Sequence, residues 1–139
     1  MISFSVVEID FKLKNKLKIK NWVKFISANE GKSTGNIAYI FCNDVYLLSL
    51  NEKYLKHKTL TDIITFDYSE GGNLSGDIFI SIERVKENSV SFGTGMDKEL
   101  GRVMAHGILH LSGYKDKTVE SKIVMRNKED FYLSTFPNL

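Results

Sequence analysis

The stretch HGILHLSGYKD, residues 106–116, constrains this chain more than any other segment. His106 and His110 stand four residues apart, just over one helical turn, so a helix here projects both imidazoles from one face. Leu100, Val103, Met104, Ile108, Leu109 and Leu111 make that helix apolar on several sides, which calls for burial. Buried imidazoles are costly unless something coordinates or hydrogen-bonds them. Gly113 offers a place for the helix to stop and the chain to turn back. Asp116 then returns a carboxylate toward the same point. Two nitrogens and one oxygen converging, with a fourth position open, describe a catalytic zinc site. A bare H-x-x-x-H also suits two satisfied core histidines, and the added Gly113 and Asp116 favour the metal. His106, His110 and Asp116 are the expected ligands of one divalent ion. Zinc suits them, and nickel or another transition metal competes on affinity grounds.

One departure from a common zinc-hydrolase pattern matters. In H-E-x-x-H enzymes a glutamate follows the first histidine and serves as general base. Here that position is Gly107. Glu99 lies seven residues back, about 10 Å along the helix axis and too far to substitute. Glu120, beyond the third ligand, is a substitute that the spacing does not place. No general base is named from the residues alone.

The chain has 139 residues, 42% hydrophobic and 26% charged, which fits one ordinary globular domain over residues 1–139 with its own hydrophobic core. Cys42 is the only cysteine, so a disulfide scaffold is excluded and a reducing cytoplasm is the expected compartment. The opening MISFSVVEID lacks a basic start and carries Glu8 and Asp10, so it does not read as a signal peptide. No apolar run approaches the roughly 18 residues of a membrane span. Net charge is only +2, but residues 1–35 hold seven lysines against Glu8, Asp10 and Glu30. This surplus reads as a phosphate-attracting patch or, more simply, as the solvated side of an amphipathic segment.

Ile19, Trp22, Val23 and Ile26 repeat at helical spacing within 15–28, whereas residues 2–8 and 36–42 suit strands. Asn43 and Asp44 supply caps for a helix reaching about Leu55. DIITFDY (62–68) and GDIFISI (76–82) read as neighbouring strands across a glycine-containing turn. A helix over about 82–90 follows. The histidine-bearing helix is expected to begin near Thr94–Asp97, capped by Thr94, and to reach Leu111. A final helix spans about 118–133. The expected class is α+β: a mixed sheet of about four strands covered by helices, with the metal site on a central helix and the loop after it.

HGILHLSGYKD resembles the signature H-G-x-L-H-L-x-G-Y-D-H of the YbeY-type endoribonucleases. Upstream, LNEKYLKHKTLTDIITF (50–66) resembles that family's LN-x-x-YR-x-KD-x-x-TDVLSF segment, and GDIFIS (76–81) its GDI-x-I-S strand. Together these cover roughly residues 36–117 in the right order. The resemblance implies a zinc-like ion held by three side chains and hydrolytic cleavage of single-stranded RNA. The setting it implies is ribosomal RNA maturation and ribosome quality control, with the small ribosomal subunit as partner. Position by position, the family's first two ligands fall on His106 and His110, and its third histidine falls on Asp116. The aspartate before that histidine falls on Lys115, and the arginine of the YR step on Leu55.

These departures have physical consequences. Two neutral histidines and a carboxylate leave the site near +1 where three histidines leave +2, so phosphate is attracted less strongly. Lys115 and Lys117 flank Asp116 and can restore positive potential. Around Leu55, Lys56 and His57, with Lys53 and Lys58, are candidates for phosphate contact in place of the arginine, though as point charges without its bidentate grip. Thr61, Asp62 and Asp77 recur in the family pattern, yet turns and strand pairing explain them adequately. The leading expectation is a metal-dependent endoribonuclease. The competing ones are a small zinc metallopeptidase, against which Gly107 speaks, and a non-catalytic ribosome-associated RNA-binding module.

Overall fold

The computed structural model describes residues 1–138. Four strands, β1 (Ile2–Val6), β2 (Ser33–Cys42), β3 (Ile63–Asp67) and β4 (Asn73–Ser81), form one sheet in the order β1-β2-β4-β3. β1 and β4 both run parallel to β2, while β3 pairs antiparallel with β4 and leaves its other edge open. The helices are α1 (Lys16–Asn29), α2 (Asp44–Leu50), α3 (Ile82–Phe92), α4 (Met96–Leu111) and α5 (Val119–Leu133). This is the mixed four-stranded α+β architecture expected from the sequence. Among the described residues no helix is long and apolar enough to cross a membrane.

Strand alternation sorts the side chains onto two faces. Ile37, Tyr39 and Phe41 of β2, with Leu74, Ile78 and Ile80 of β4, are fully buried beneath α1 and α4. Cys42 and Ile64 face the other way and join Leu47 of α2 in a smaller cluster. Burial pushes the Cys42 thiol up to about 12, aided by the charge of Asp44, so it stays protonated and unreactive at neutral pH. α5 packs against α4 and completes the layer over the first face.

α4 is buried on nearly every side, as its composition requires. Its start differs from expectation. Gly95 stands at the N-cap, and the Thr94 hydroxyl is buried without a hydrogen-bond partner. The cap position is non-helical backbone, and here the chain enters the helix one residue after the threonine. Gly107 lies close against the sheet. A Cβ built there would lie 2.9 Å from Ile78 Cγ2 and 3.2 Å from Ile63 Cδ1. The Tyr39 hydroxyl, fully buried, donates to Met104 O at 3.0 Å and ties β2 to the same helix. The helix stops at Leu111, and the chain turns away at Gly113, whose φ of 110° is open only to glycine at little cost.

A buried polar staple joins α1, α5 and the loop after α4. Glu30, its side chain 7% exposed, accepts from the Tyr114 hydroxyl at 2.6 Å, from Lys128 Nζ at 3.1 Å and from the Tyr132 hydroxyl. Burial raises the Glu30 carboxyl, but these donors and the Lys128 charge together hold it below its ordinary value of 4.5. A depressed carboxylate contributes stability in full above its unfolded pKa, and that contribution disappears as pH falls through the folded value.

Two outcomes are expected. Gly107→Ala crowds the sheet and costs about 1–3 kcal/mol, only partly offset by about 1 kcal/mol of helix propensity. Urea unfolding measures this, and a variant as stable as the parent contradicts the close seat. Glu30→Gln removes one source of acid lability. The stability difference between parent and variant should be largest above pH 4.5 and shrink as pH drops below it. A difference independent of pH contradicts the staple.

Candidate metal centre

α4 carries His106 and His110 one turn apart, their rings 4.4 Å between centroids and nearly perpendicular. Each ring is fixed by a partner at Nδ1. His106 Nδ1 lies 2.7 Å from Glu129 Oε2 on α5, and His110 Nδ1 lies 2.9 Å from the carbonyl oxygen of Tyr114. Both partners only accept, so each Nδ1 carries a hydrogen, and the neutral ring keeps its lone pair at Nε2. Those two Nε2 atoms face the same carboxylate. Asp116 Oδ2 is 3.3 Å from His106 Nε2 and 3.5 Å from His110 Nε2. These separations are long for good N–H···O bonds. They match the edge of a tetrahedron drawn around zinc with bonds of about 2.0–2.1 Å, which is roughly 3.3 Å. All three donor atoms lie within 4.8 Å of one another, so the residues present fit a single cation.

Second partners extend the arrangement. Arg102, one turn before His106 on α4, donates to Glu129 Oε1 at 3.1 Å and to Asp130 Oδ1 at 2.7 Å. Glu129 is 7% exposed and is thus held on both oxygens, one by a guanidinium and one by an imidazole. Burial pushes His106 down, yet the hydrogen bond and charge of Glu129, with Asp116 and Asp62, hold it above its ordinary pKa. Burial and the charge of His106 push His110 down, against the pull of Asp116.

A cleft of about 530 Å³ opens beside the three donors. Its far wall is β3: the consecutive residues Asp62, Ile63, Ile64 and Thr65 all line it. Consecutive residues alternate faces, so the edge of the strand turned away from β4 borders the cleft. Leu55 and Lys117 complete the rim. Burial raises the Asp62 carboxyl above its ordinary value, partly opposed by the charge of His106.

The other expected residues fall in several places. Lys56, His57 and Lys115 are exposed and are not among the lining residues of the cleft. Gly107 faces the sheet, so a glutamate at that position has no space and no path to the cation side. Glu99 is buried and lines, with Arg102 and Glu129, an adjoining pocket of about 250 Å³ that shares Asp62, Ile63 and His106 with the cleft. Glu120 is exposed at the start of α5. Glu129 and Arg102 escaped the sequence reading. Glu129 acts on a residue 23 positions away, and only the spacing of Met125 and Glu129 from the buried side of α5 hints at its inward direction.

An α+β layer with two imidazoles and a carboxylate converging beside an open strand edge defines a small metal-dependent hydrolase. Comparison with known proteins narrows the class. The family model described as Endoribonuclease YbeY matches residues 3–137. Endoribonuclease YbeY of Flavobacterium psychrophilum is 52% identical over 98% of this chain and 96% of its own. That of Flavobacterium johnsoniae is 48% identical over 98% and 97%. The solution structure of TM1509 from Thermotoga maritima superposes with a TM-score of 0.66 at 25% identity, covering 96% of this chain and 87% of that one. The chain belongs to the YbeY endoribonuclease family, and its activity is that of a metal-dependent, hydrolytic endoribonuclease.

If Glu129 sets the His106 tautomer, Glu129→Ala should weaken metal binding about 10- to 100-fold. Competition against a coloured chelator measures it. Asp130→Asn, which alters only the exposed partner of Arg102, serves as control. Equal affinity in the parent and Glu129→Ala contradicts the assignment.

Proposed function

We propose that His106, His110 and Asp116 hold one divalent cation, zinc by donor type, and that this centre cleaves single-stranded RNA during ribosomal RNA maturation. The observation that carries the reading is the convergence of the three donor atoms with both Nδ1 positions already occupied. When bound, such a cation supplies Lewis acidity toward a phosphoryl oxygen and acidifies water. The chain's own residues do the rest. Asp116 offsets one positive charge, and the hydrogen bonds at Nδ1 keep both rings aimed inward. The open edge of β3 offers backbone N–H groups to the ribose–phosphate chain, and Lys117 at the rim attracts it. Lys56, His57 and Lys115 contact phosphates further along the strand. Asp62 takes up the proton released in hydrolysis, since its carboxyl lines the cleft and burial raises it above its ordinary value, which makes it a better proton acceptor.

In this reading residues 1–139 act as one catalytic domain, the substrate is ribosomal RNA on the small subunit, and the compartment is the cytoplasm. The single, buried Cys42 is consistent with that compartment. Neither Cys42 nor any disulfide takes part.

The test uses purified protein on an unstructured RNA and on casein, side by side, before and after chelation. RNA cleavage that disappears on chelation and returns with zinc is the expected result, with casein untouched. His106→Ala together with His110→Ala should lose the metal and the cleavage. Casein cleavage without RNA cleavage overturns the reading in favour of a peptidase. RNA association that survives loss of the ligands, with no cleavage in the parent, overturns it in favour of a binding module.

A further inference from the structure

The helix beginning at Asp44 does not run as one α-helix to Leu55. After Leu50 it widens into a π-helical turn, Asn51–Leu55, and stops at Lys56, whose φ is 55°. π turns are rare and collect at functional sites. This one is built rather than loose. Asn51 is buried, its Nδ2 donates to Thr59 O at 2.9 Å, and its carbonyl oxygen accepts from His57 N at 3.2 Å. Residues 52–60 are nonetheless exposed throughout.

The turn places neighbouring side chains in different surroundings. Leu55 lines the cleft that holds His106, His110 and Asp116. Tyr54 stays 55% exposed and touches the sheet through an edge contact with Phe66, the rings 5.6 Å apart and 81° to each other. Among the described residues Phe66 is the one aromatic ring against it, and over half of the Tyr54 surface is open to solvent. The ammonium of Lys53 stands over the Tyr54 ring at 5.2 Å from its centroid. Charge is unevenly spread around the cleft. Residues 52–60 carry Lys53, Lys56 and Lys58 against Glu52, whereas Asp67, Glu70 and Asp77 gather at the turn joining β3 to β4.

We propose that Tyr54 is a base-stacking subsite for the RNA strand where it leaves the metal cleft, with Lys53 meeting the adjoining phosphate. The proposal rests on the nuclease reading above and adds a direction to it. The strand passes over the lysine-bearing π turn and away from the acidic β3–β4 turn. An aromatic face beside a phosphate-attracting side chain is how single strands are held without reading their sequence, because every base has a π-face. The exposed Tyr68 gives an internal comparison. Its hydroxyl donates to Asp77 Oδ2 at 3.4 Å among carboxylates that repel phosphate, so it is not part of the path.

The experiment measures steady-state cleavage of an unstructured RNA by the metal-loaded full chain, together with equilibrium binding of the same oligonucleotide carrying 2-aminopurine at successive positions. Tyr54→Ala should raise KM about ten-fold, within the range that stacking of one base supplies, while kcat and metal content stay unchanged. It should also abolish 2-aminopurine quenching at one position. Tyr54→Phe should behave as the parent, Lys53→Glu should raise KM, and Tyr68→Ala should change nothing. An unchanged KM in both Tyr54→Ala and Lys53→Glu overturns the subsite while leaving the nuclease reading intact. So does an equal loss in Tyr68→Ala. Weakened ribosome association with unchanged binding of free RNA overturns it in favour of a protein-docking face. A metal-loaded parent that neither binds nor cuts RNA removes the nuclease reading and the subsite together.

Discussion

The arrangement depends on one constraint: each imidazole on α4 has its Nδ1 position filled before any cation arrives. A carboxylate from α5 takes one and a backbone carbonyl from the turn after Gly113 takes the other. A histidine with a single hydrogen-bonding nitrogen left over has one direction in which to coordinate. Because the two residues are a helical turn apart, those directions converge, and Asp116 arrives where they meet. The helix itself cannot turn to relieve the crowding of polar groups, since its remaining sides are buried in the core. Rigidity comes from the apolar packing, and aim comes from the hydrogen bonds.

Seating such a helix demands space on the sheet side. Gly107 provides it, and the same glycine removes the position from which H-E-x-x-H zinc hydrolases present their general base. In the function proposed above, proton handling falls to a group outside α4. The cleft wall opposite the histidines is the free edge of β3, and Asp62 enters from the beginning of that strand. The sheet order β1-β2-β4-β3 thus leaves β3 at the edge of the sheet, beside the cleft that holds the three donors.

Much of this was legible in the sequence, and the parts that were not share a physical cause. Apolar periodicity marked every helix and strand to within a few residues, because a core imposes the same spacing locally that it satisfies globally. The spacing from His106 to Asp116 marked the site because all three donors sit on one helix and the turn leaving it. Glu129 was invisible because its partner lies 23 residues upstream on another helix, and nothing local announces a contact at that range. Glu30 was counted merely as an acid balancing lysines, whereas its burial against Tyr114, Tyr132 and Lys128 is a tertiary fact. The π turn at Asn51–Leu55 has no local signal, since the same residues suit a plain α-helix, and the Asn51 amide bond to Thr59 beside it is visible only in the folded chain. Thr94 suited a cap by residue type, yet the chain enters α4 at Gly95.

X-ray absorption at the metal edge of the purified protein reads the donor set itself. One ion per chain is expected, with two imidazole nitrogens and light oxygen donors at about 2.0–2.2 Å, and with the carboxylate oxygen lost in Asp116→Ala. An ion surrounded only by oxygen, a sulfur donor, or a spectrum unchanged by Asp116→Ala would contradict that donor set.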